Sequence, residues 1–303
     1  MTHVAVLMGG WSAEREVSLA SGDACAEALE SKGYTVSKID VDRDLATRLR
    51  AVAPDVAFNA LHGRFGEDGT VQGLLEIIGL PYTHSGVLAS SMAMDKPVAR
   101  QLYQAHGLPV ADGRVLSRQD MIEGKGFDAP YVLKPLNEGS SVGVELVFEQ
   151  DNFDPTDAAH WRFGDRVLTE RYIPGREIQV AVLNDRALGA IEIVSPGRFY
   201  DYDAKYAPGG SKHLMPAPLS DSDYQEACRL GLAAHQVLGC RGVTRTDLRF
   251  DDTGDGPGKF IVLETNTQPG MTATSLAPEI AQHQGISFAD LCALLVEDAS
   301  CDR

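Results

Sequence analysis

The apolar run VAVLM at residues 4–8 ends in a glycine pair, Gly9–Gly10, and a helical pattern follows almost at once. Strand, tight glycine turn, helix is the opening of a crossover, and crossovers are how parallel strands are joined. The grammar then repeats. YTVSKID reads as a second strand and DVAFNAL as a third, and the loop HGRFGEDG leads into the apolar helix VQGLLEIIG and then GLPYT. The spacing predicts a helix over 13–29, with Val17, Ala20, Ala24 and Ala28 on its apolar stripe. An open parallel α/β sheet follows, and such sheets place their sites at the carboxyl ends of the strands. Both glycine loops, MGGWS and HGRFGEDG, fall there. A helical stretch through MAMDKPVARQLYQAHG leads out of this unit.

From Leu108 the pattern changes to strands with few long helices: YVLKPL, SVGVELVF, RVLTERYI, REIQVAVLN and RALGAIEIV. Asn184 and Asp185 mark a hairpin turn. The long irregular stretch SPGRFYDYDAKYAPGGSKHLMPAP reads as a cover over a site, because loops of that length are usually functional or disordered. A helix over 221–238 precedes two strands, GVTRTDLRF and KFIVLETN, joined by the turn DDTGDGPG. The division expected is a substrate domain at 1–95, a central domain at 96–180 and a C-terminal domain at 181–303, within a chain of 303 residues. With 27 basic and 43 acidic residues the net charge is −16, which disfavours nucleic acid and anionic membrane as partners. No apolar run approaches a membrane span, and the first strand is too short for a signal segment. The five scattered cysteines form no CxxC, so reduced thiols in a cytoplasmic protein are expected.

The last hairpin carries the sharpest chemistry. Residues two apart in a strand share a face, so Arg245 pairs with Asp247 and Glu264 with Asn266. A turn centred near Asp255–Gly256 sets Asp247 about opposite Glu264. Facing carboxylates repel. Two arrangements relieve that: a solvated face with an Arg245 salt bridge, or a cation held by oxygen ligands, as Mg²⁺ prefers. Two facing strands followed by TQPGMTATS favour the cation.

Two further elements carry potential ligands. Lys134 ends a strand before a loop with Gly139, Ser140, Ser141 and Gly143, which suits phosphate oxygens and equally suits a plain hairpin connection. It is not a Walker A loop, since the lysine precedes the glycines. In LTERYIPGRE, Glu170 and Glu177 flank a Pro-Gly turn where a purine could lie between strands, or where two glutamates could simply be solvated.

In this order the elements resemble the ATP-grasp enzymes of the D-alanine–D-alanine ligase family. The likeness runs from MGGWSAEREVSLASG through HGRFGEDGTVQGLLEIIGLPYTHSG, SMAMDK, VLKPLNEGSSVGV, FYDYDAKY and TRTDLRF to ETNTQPGMTATSL, nearly the whole chain. Trp11 and Gln268 depart from the pattern without removing a functional group. The resemblance implies an ATP-grasp fold of three α/β domains, α+β overall, with the N-terminal sheet open and parallel. It implies that Lys96 and Lys134 hold ATP phosphates beneath the Ser140–Ser141–Gly143 loop, with Lys205 from the cover. Glu170 would face the adenine amino group, backbone at Tyr172 and Ile173 its ring edge, and Glu177 the ribose. Asp247, Glu264 and Asn266 would hold two Mg²⁺ (or Mn²⁺) ions. Arg245 and the Gly270 N–H would stabilise an oxyanion, while Ser275 and Leu276 would take the second substrate's carboxylate. Glu14 would meet the first substrate's ammonium group and join Ser140 and Tyr206 in a hydrogen-bonded triad. His62 would stand near the second substrate, or simply hold its own loop.

The activity implied is joining of two D-alanines through an acyl phosphate, by a cytoplasmic homodimer serving peptidoglycan synthesis. The lid tyrosine goes with dipeptide rather than D-alanyl-D-lactate synthesis. No exposed apolar stripe in the sequence marks a dimer surface. Three rivals remain: a nucleotide-cofactor oxidoreductase on the first sheet with Asp40 at the ribose, a non-catalytic ATP-binding module, and a ligase with another acceptor. Against the first, GGWSAE lacks GxGxxG spacing and Glu16 stands where a phosphate would sit.

Overall fold

The computed structural model describes residues 1–137, 139, 143–151, 153–157, 160–195, 211–272 and 274–301. The expectations for Ser140, Ser141, Lys205 and Tyr206 lie outside the described residues. Strands β1 (His3–Met8), β2 (Thr35–Asp40) and β3 (Val56–Asn59) form a parallel sheet in the order β2-β1-β3. Helix α1 (Arg15–Ser31) makes the first crossover, and α2 (Leu45–Val52) precedes β3. Pleating sends Val4 and Val6 to one face and Ala5 and Leu7 to the other, and both faces are buried. The stripe α1 buries is not the one that apolar residues alone mark out. Ser18, Ser21, Gly22, Cys25 and Leu29 point inward together with Ala28, while Val17 and Ala24 are half-buried and Ala20 is exposed. Ser18 spends its hydroxyl on Gly9 N and Ala60 O, so a polar side chain is satisfied inside the core. Gly22 is needed because a Cβ there would stand 2.4 Å from that of Met8.

Helix α3 (Thr70–Ile78) closes the sheet's far side. The helical stretch that follows is two helices, α4 (Val87–Met94) and α5 (Lys96–Ala105), divided at Asp95. The side chain of Asp95 accepts from Val98 N at 3.0 Å, a cap with Pro97 in the first turn. A four-stranded antiparallel sheet comes next, ordered β4-β7-β5-β6 from Gly113–Ser117, Arg166–Arg171, Tyr131–Lys134 and Glu145–Val147. Short α6 (Arg118–Ile122) follows β4 with a Ser117 capping box.

The third sheet runs β10-β9-β8-β11-β12, from β8 (Arg176–Leu183), β9 (Arg186–Val194), β10 (Lys212–Leu214), β11 (Val243–Asp251) and β12 (Lys259–Asn266). The sheets change between Arg171 and Arg176, so a division at 180/181 would cut β8. Helix α7 (Asp221–Val237) covers one face, where Ile178, Val180, Leu248 and Val262 meet Ala227, Leu230 and Ala234. Each fully buried leucine or isoleucine contributes roughly 1.5–3 kcal/mol. The opposite face shares a core with the first sheet: Ala181, Ile191 and Ile193 join Val4, Val6 and Phe58 through α8 (Leu276–His283) and α9 (Phe288–Glu297). This shared core holds the first and third sheets together.

His235 on α7 is buried, with its Nδ1 2.8 Å from Thr244 Oγ1, and burial lowers its pKa to about 4. A base held neutral when folded but free to protonate near 6.5 when unfolded stabilises the fold fully above pH 6.5. That stability is lost as pH falls from about 6.5 towards 4, by up to about 3 kcal/mol. Urea titrations across this range should therefore show a shallower acid-side decline for His235→Gln than for the native chain.

Candidate active site

The β11–β12 ladder sets Asp247 opposite Glu264 and Arg245 opposite Asn266, the register the turn implies. Arg245 grips Asp247 in a two-pronged bond, Nε to Oδ1 at 2.8 Å and Nη2 to Oδ2 at 3.0 Å. The Nζ of Lys96, from the first turn of α5, lies 3.7 Å from Glu264 Oε2. A salt bridge on this face is thus present, and the two carboxylates still face one another. On its other side β11 pairs with β8, placing Gln179 opposite Asp247 and Glu177 opposite Arg249. Arg249 donates to Gly175 O at 2.6 Å and Ile173 O at 3.2 Å, fixing the turn after Tyr172. Among the described residues no three histidine, cysteine, aspartate or glutamate side chains cluster as a metal site. The oxygen donors here are two carboxylates and the carboxamide of Asn266.

A second cluster is buried between the second sheet and α5. Val132 pairs with Glu170 and Lys134 with Leu168. Lys134 reaches Glu170 Oε2 at 2.5 Å, and Arg100 binds Glu170 Oε1 while donating to Ala111 O at 2.6 Å. Glu170 and Arg100 are 3% and 6% exposed, so this is a carboxylate neutralised by two cations inside the protein. Gly113, opposite Glu170, has no room for a side chain: a Cβ would fall 2.5 Å from Arg100 Nη2. Arg100 was not among the residues picked out from the sequence, although it stands four residues, one helical turn, after Lys96.

The third set belongs to the first sheet. Glu14 is 6% exposed at the N-terminus of α1, and its N–H donates to Ser12 Oγ at 3.2 Å. Ser12 Oγ donates in turn to His62 O at 2.7 Å. The His62 ring is buried, with Nε2 2.9 Å from Ser21 Oγ and Nδ1 3.2 Å from Glu67 Oε1. The carboxylate of Glu14 packs where a Cβ at Gly63 would stand 2.7 Å away, and a Cβ at Gly139 would be 3.4 Å from it and 3.6 Å from Glu67. The loop after Lys134 therefore reaches the first sheet's acidic residues. One narrow cleft is lined by Glu67, Lys96, Gly139, Glu264 and Asn266.

Asp40 is committed elsewhere. Arg15 binds both its oxygens, at 2.7 and 2.6 Å, and holds its carboxyl below the usual carboxylate range. A Cβ at Gly9 would be 2.2 Å from Asp40 Oδ1, so this ion pair fills the crevice that a dinucleotide's ribose would need.

Ser275 caps the backbone at Thr272 (3.1 Å) rather than its own helix α8, and lies close to Gly270. Leu276 begins that helix and is buried. The loop before it is tied to the first sheet by Gln268, whose Nε2 donates to Asn59 O and whose Oε1 accepts from Asn59 Nδ2 at 3.3 Å. Asn59 also donates to Gly66 O at 2.9 Å, in the loop of His62 and Glu67. Gly143 (φ +71°) sits with its would-be Cβ 2.9 Å from Pro135.

A parallel open sheet followed by two antiparallel sheets, with Lys134 on the middle one, Lys96 on the helix before it and carboxylates on the last, defines an ATP-grasp protein. Comparison with known proteins carries this further. Residues 102–297 match the family profile "D-ala D-ala ligase C-terminus" and residues 46–85 match "D-ala D-ala ligase N-terminus". The D-alanine–D-alanine ligase of Paramagnetospirillum magneticum is 59% identical over 305 residues, covering 99% of each chain. That of Rhizobium meliloti is 56% identical over 304 residues, again covering 99% of each. Among solved structures, the Bacillus anthracis D-alanine–D-alanine ligase complexed with ATP superposes with a TM-score of 0.82 at 29% identity, covering 98% of this chain and 97% of that one. The VanG D-Ala:D-Ser ligase of Enterococcus faecalis gives 0.81 at 27%, covering 98% of each. The chain belongs to the D-alanine–D-alanine ligase family.

Gln268→Leu removes both carboxamide bonds and strands buried Asn59. The expected cost is about 1–3 kcal/mol of stability, read as a lowered urea midpoint, together with a fall in kcat as the His62 loop loses its register against Gly270.

Proposed function

We propose that this chain joins two D-alanine molecules into D-alanyl-D-alanine at the expense of ATP, for peptidoglycan synthesis. The observation that carries the reading is the convergence on one cleft of Lys96, Glu264, Asn266 and Gly139, with Asp247 opposite Glu264 in the ladder and Glu14 in contact distance of Gly139. An acidic group from one sheet and a carboxylate pair from another suit a zwitterionic substrate brought to a polyphosphate. The ATP reading is supported by the two buried cations around Glu170 and by the like-folded enzyme solved with ATP.

The oxygen-only donors Asp247, Glu264 and Asn266 fit Mg²⁺ or Mn²⁺. Opposed carboxylates favour a cation between them; Arg245 at Asp247 and Lys96 at 3.7 Å from Glu264 counter them in this structure, and an ion would share the carboxylates with these two cations. When bound, such ions would offset repulsion between the triphosphate and the attacking carboxylate. The protein's own residues do the positioning. Lys96 and Lys134 hold phosphate oxygens, and Lys134 exchanges its Glu170 contact for them. Glu170 then turns to the adenine amino group, with Tyr172 and Ile173 at the ring edge and Glu177 at the ribose.

Glu14 orients the first D-alanine through its ammonium group, and its carboxylate attacks the γ-phosphate to give an acyl phosphate and ADP. The second D-alanine is held by its own carboxylate at Ser275 and Leu276, where the start of α8 supplies N–H groups. Its neutral amine attacks the acyl carbon. Arg245 and the Gly270 N–H stabilise the oxyanion, and phosphate leaves. His62, fixed by Ser21 and Glu67, shapes the second-substrate pocket. We assign exclusion of water to the segment with Lys205 and Tyr206, and a role shared with Glu14 to Tyr206 and Ser140; Lys205, Tyr206 and Ser140 lie outside the described residues. We place the enzyme in the cytoplasm as a homodimer. Among the described residues no helix is long and apolar enough to cross a membrane.

Product analysis with ATP, Mg²⁺ and D-alanine should give D-alanyl-D-alanine in step with ADP, with little ligation when D-lactate or D-serine is the acceptor offered. Asp247→Asn and Glu264→Gln should each lower kcat by at least about 10²-fold while leaving the melting temperature near native. Native-like turnover in either variant would remove these carboxylates from the site. ADP release without any dipeptide would point to another acceptor.

A further inference from the structure

Gln179 lies in β8 with its side chain on the face that carries Glu177 and Asp247, directly opposite Asp247. It is fully buried. Its Nε2 donates to Glu177 Oε1 at 3.2 Å, whereas its Oε1, also buried, has no hydrogen-bond partner among the described residues. The amide is oriented by that one bond, since turning it over would set oxygen against the Glu177 carboxylate. The neighbours supply no donor to the stranded oxygen. Across β9 stands Ile191, which is apolar. Of the guanidiniums on this face, Arg245 is committed to Asp247, and Arg249 to the carbonyls of Ile173 and Gly175 with its Nη1 3.9 Å from Glu177 Oε2. A buried carboxamide oxygen without a donor is costly, and such groups persist where something outside the protein completes them.

The missing partner is an O–H or N–H donor that arrives with the ligand. Under the nucleotide reading above, on which this inference rests, the triphosphate carries no donor and the adenine amino group belongs to Glu170 on the second sheet. The ribose hydroxyls remain, and Glu177, the ribose residue, is already bonded to the Gln179 amide. We infer that Gln179 is a ribose-reading residue. Its Oε1 accepts from one ribose hydroxyl, while its Nε2 holds the Glu177 carboxylate in place to accept from the other. A vicinal diol presents two O–H donors on adjacent carbons, and the Glu177–Gln179 pair presents two acceptors joined by one hydrogen bond. The other source of an O–H donor on this face is a water in the hydration shell of a divalent ion at Asp247.

Calorimetric binding of ADP, 2′-deoxyADP and 3′-deoxyADP with Mg²⁺, to the native protein and to Gln179→Met, separates these sources. The native protein should bind one of the two deoxynucleotides roughly tenfold more weakly than ADP on account of the lost Gln179 bond. In Gln179→Met that difference should vanish, because no acceptor is left to be deprived. Gln179→Glu keeps an acceptor oxygen and should retain it. Full discrimination against both deoxynucleotides in Gln179→Met overturns the assignment. So does a shifted Mg²⁺ midpoint with hydroxyl discrimination unchanged, which would give the oxygen to the ion's hydration shell. If Gln179→Met does not fold, the side-chain amide resonances of Gln179 in the native protein decide the matter. They should shift with ADP and not with the disfavoured deoxynucleotide, and identical shifts with all three overturn the assignment. Failure of the native protein to bind ADP at all would instead take down the nucleotide reading itself.

Discussion

Two carboxylates held opposite each other across an antiparallel ladder are the constraint around which the rest of the structure is arranged. Left alone, Asp247 and Glu264 would push their strands apart. The sheet answers with alternating charge along and across its strands: Arg245 and Arg249 flank Asp247 two residues away on either side, and Glu177 faces Arg249 from β8. Lys96 approaches from outside the sheet. Such a polar face can exist only because the reverse face of the same strands is apolar and covered by α7. On β11 pleating separates the two demands by one residue, Asp247 from Leu248. On β12 the ladder's irregularity at this point, where Asp247 pairs with Glu264 but Leu248 with Val262, lets Glu264 turn to the polar face while Val262, two residues away, stays buried.

A charged patch on one sheet does not make a two-substrate site. The first sheet has to be brought to it, and the shared core of Val4, Val6 and Phe58 with Ile191, Ile193 and Ile280 does that without direction. Direction comes from hydrogen bonds. Asn59 and Gln268 are 209 residues apart in the chain and exchange bonds in both senses, setting the loop of His62 and Glu67 against the loop of Gly270. Hydrophobic burial is tolerant of a shift of an ångström, whereas a reciprocal carboxamide pair is not. Gly63 then lets backbone approach Glu14 where a Cβ would stand 2.7 Å from the carboxylate, and Gly139 comes within ordinary contact of it.

Much of this was legible in the sequence because two periods are simple. A strand repeats every two residues, so a hairpin turn near Asp255–Gly256 sets Asp247 about opposite Glu264; the ladder has that pair, reached through a register shift between Asp247 and Leu248 that strand periodicity does not announce. The alternation of strand and helix before residue 95 likewise gave the parallel sheet. What escaped depended on residues that break the apolar rule. The apolar stripe of α1 captures only part of its buried face: Ala28 lies in the core, whereas Ser18 and Ser21, hydroxyls satisfied by backbone and by His62, are inward residues outside that stripe. The partnership of Arg100 with Glu170 depends on the pairing of β4, β7 and β5, strands that are distant in the chain, which no local pattern encodes. Gln268 looked like a neutral change between matched residues, and its contact lies on another sheet.

The last constraint concerns helix α5, which carries Lys96 and Arg100 and so bears on both the carboxylate pair and Glu170. A helix free to slide would let these cations find different partners. Tyr103, on the same helix, prevents that from beneath: its hydroxyl donates to Thr265 Oγ1 at 2.8 Å, and Thr265 meets Thr246 at 3.0 Å. Thr265 lies between Glu264 and Asn266, and Thr246 between Arg245 and Asp247, so this chain runs along the back of the very residues that form the patch. Burial pushes the Tyr103 phenol well above its ordinary pKa, which keeps it a donor. The cations and the carboxylates are thereby fastened to one another through a buried hydroxyl chain, and their spacing is set by the core as much as by their own attraction.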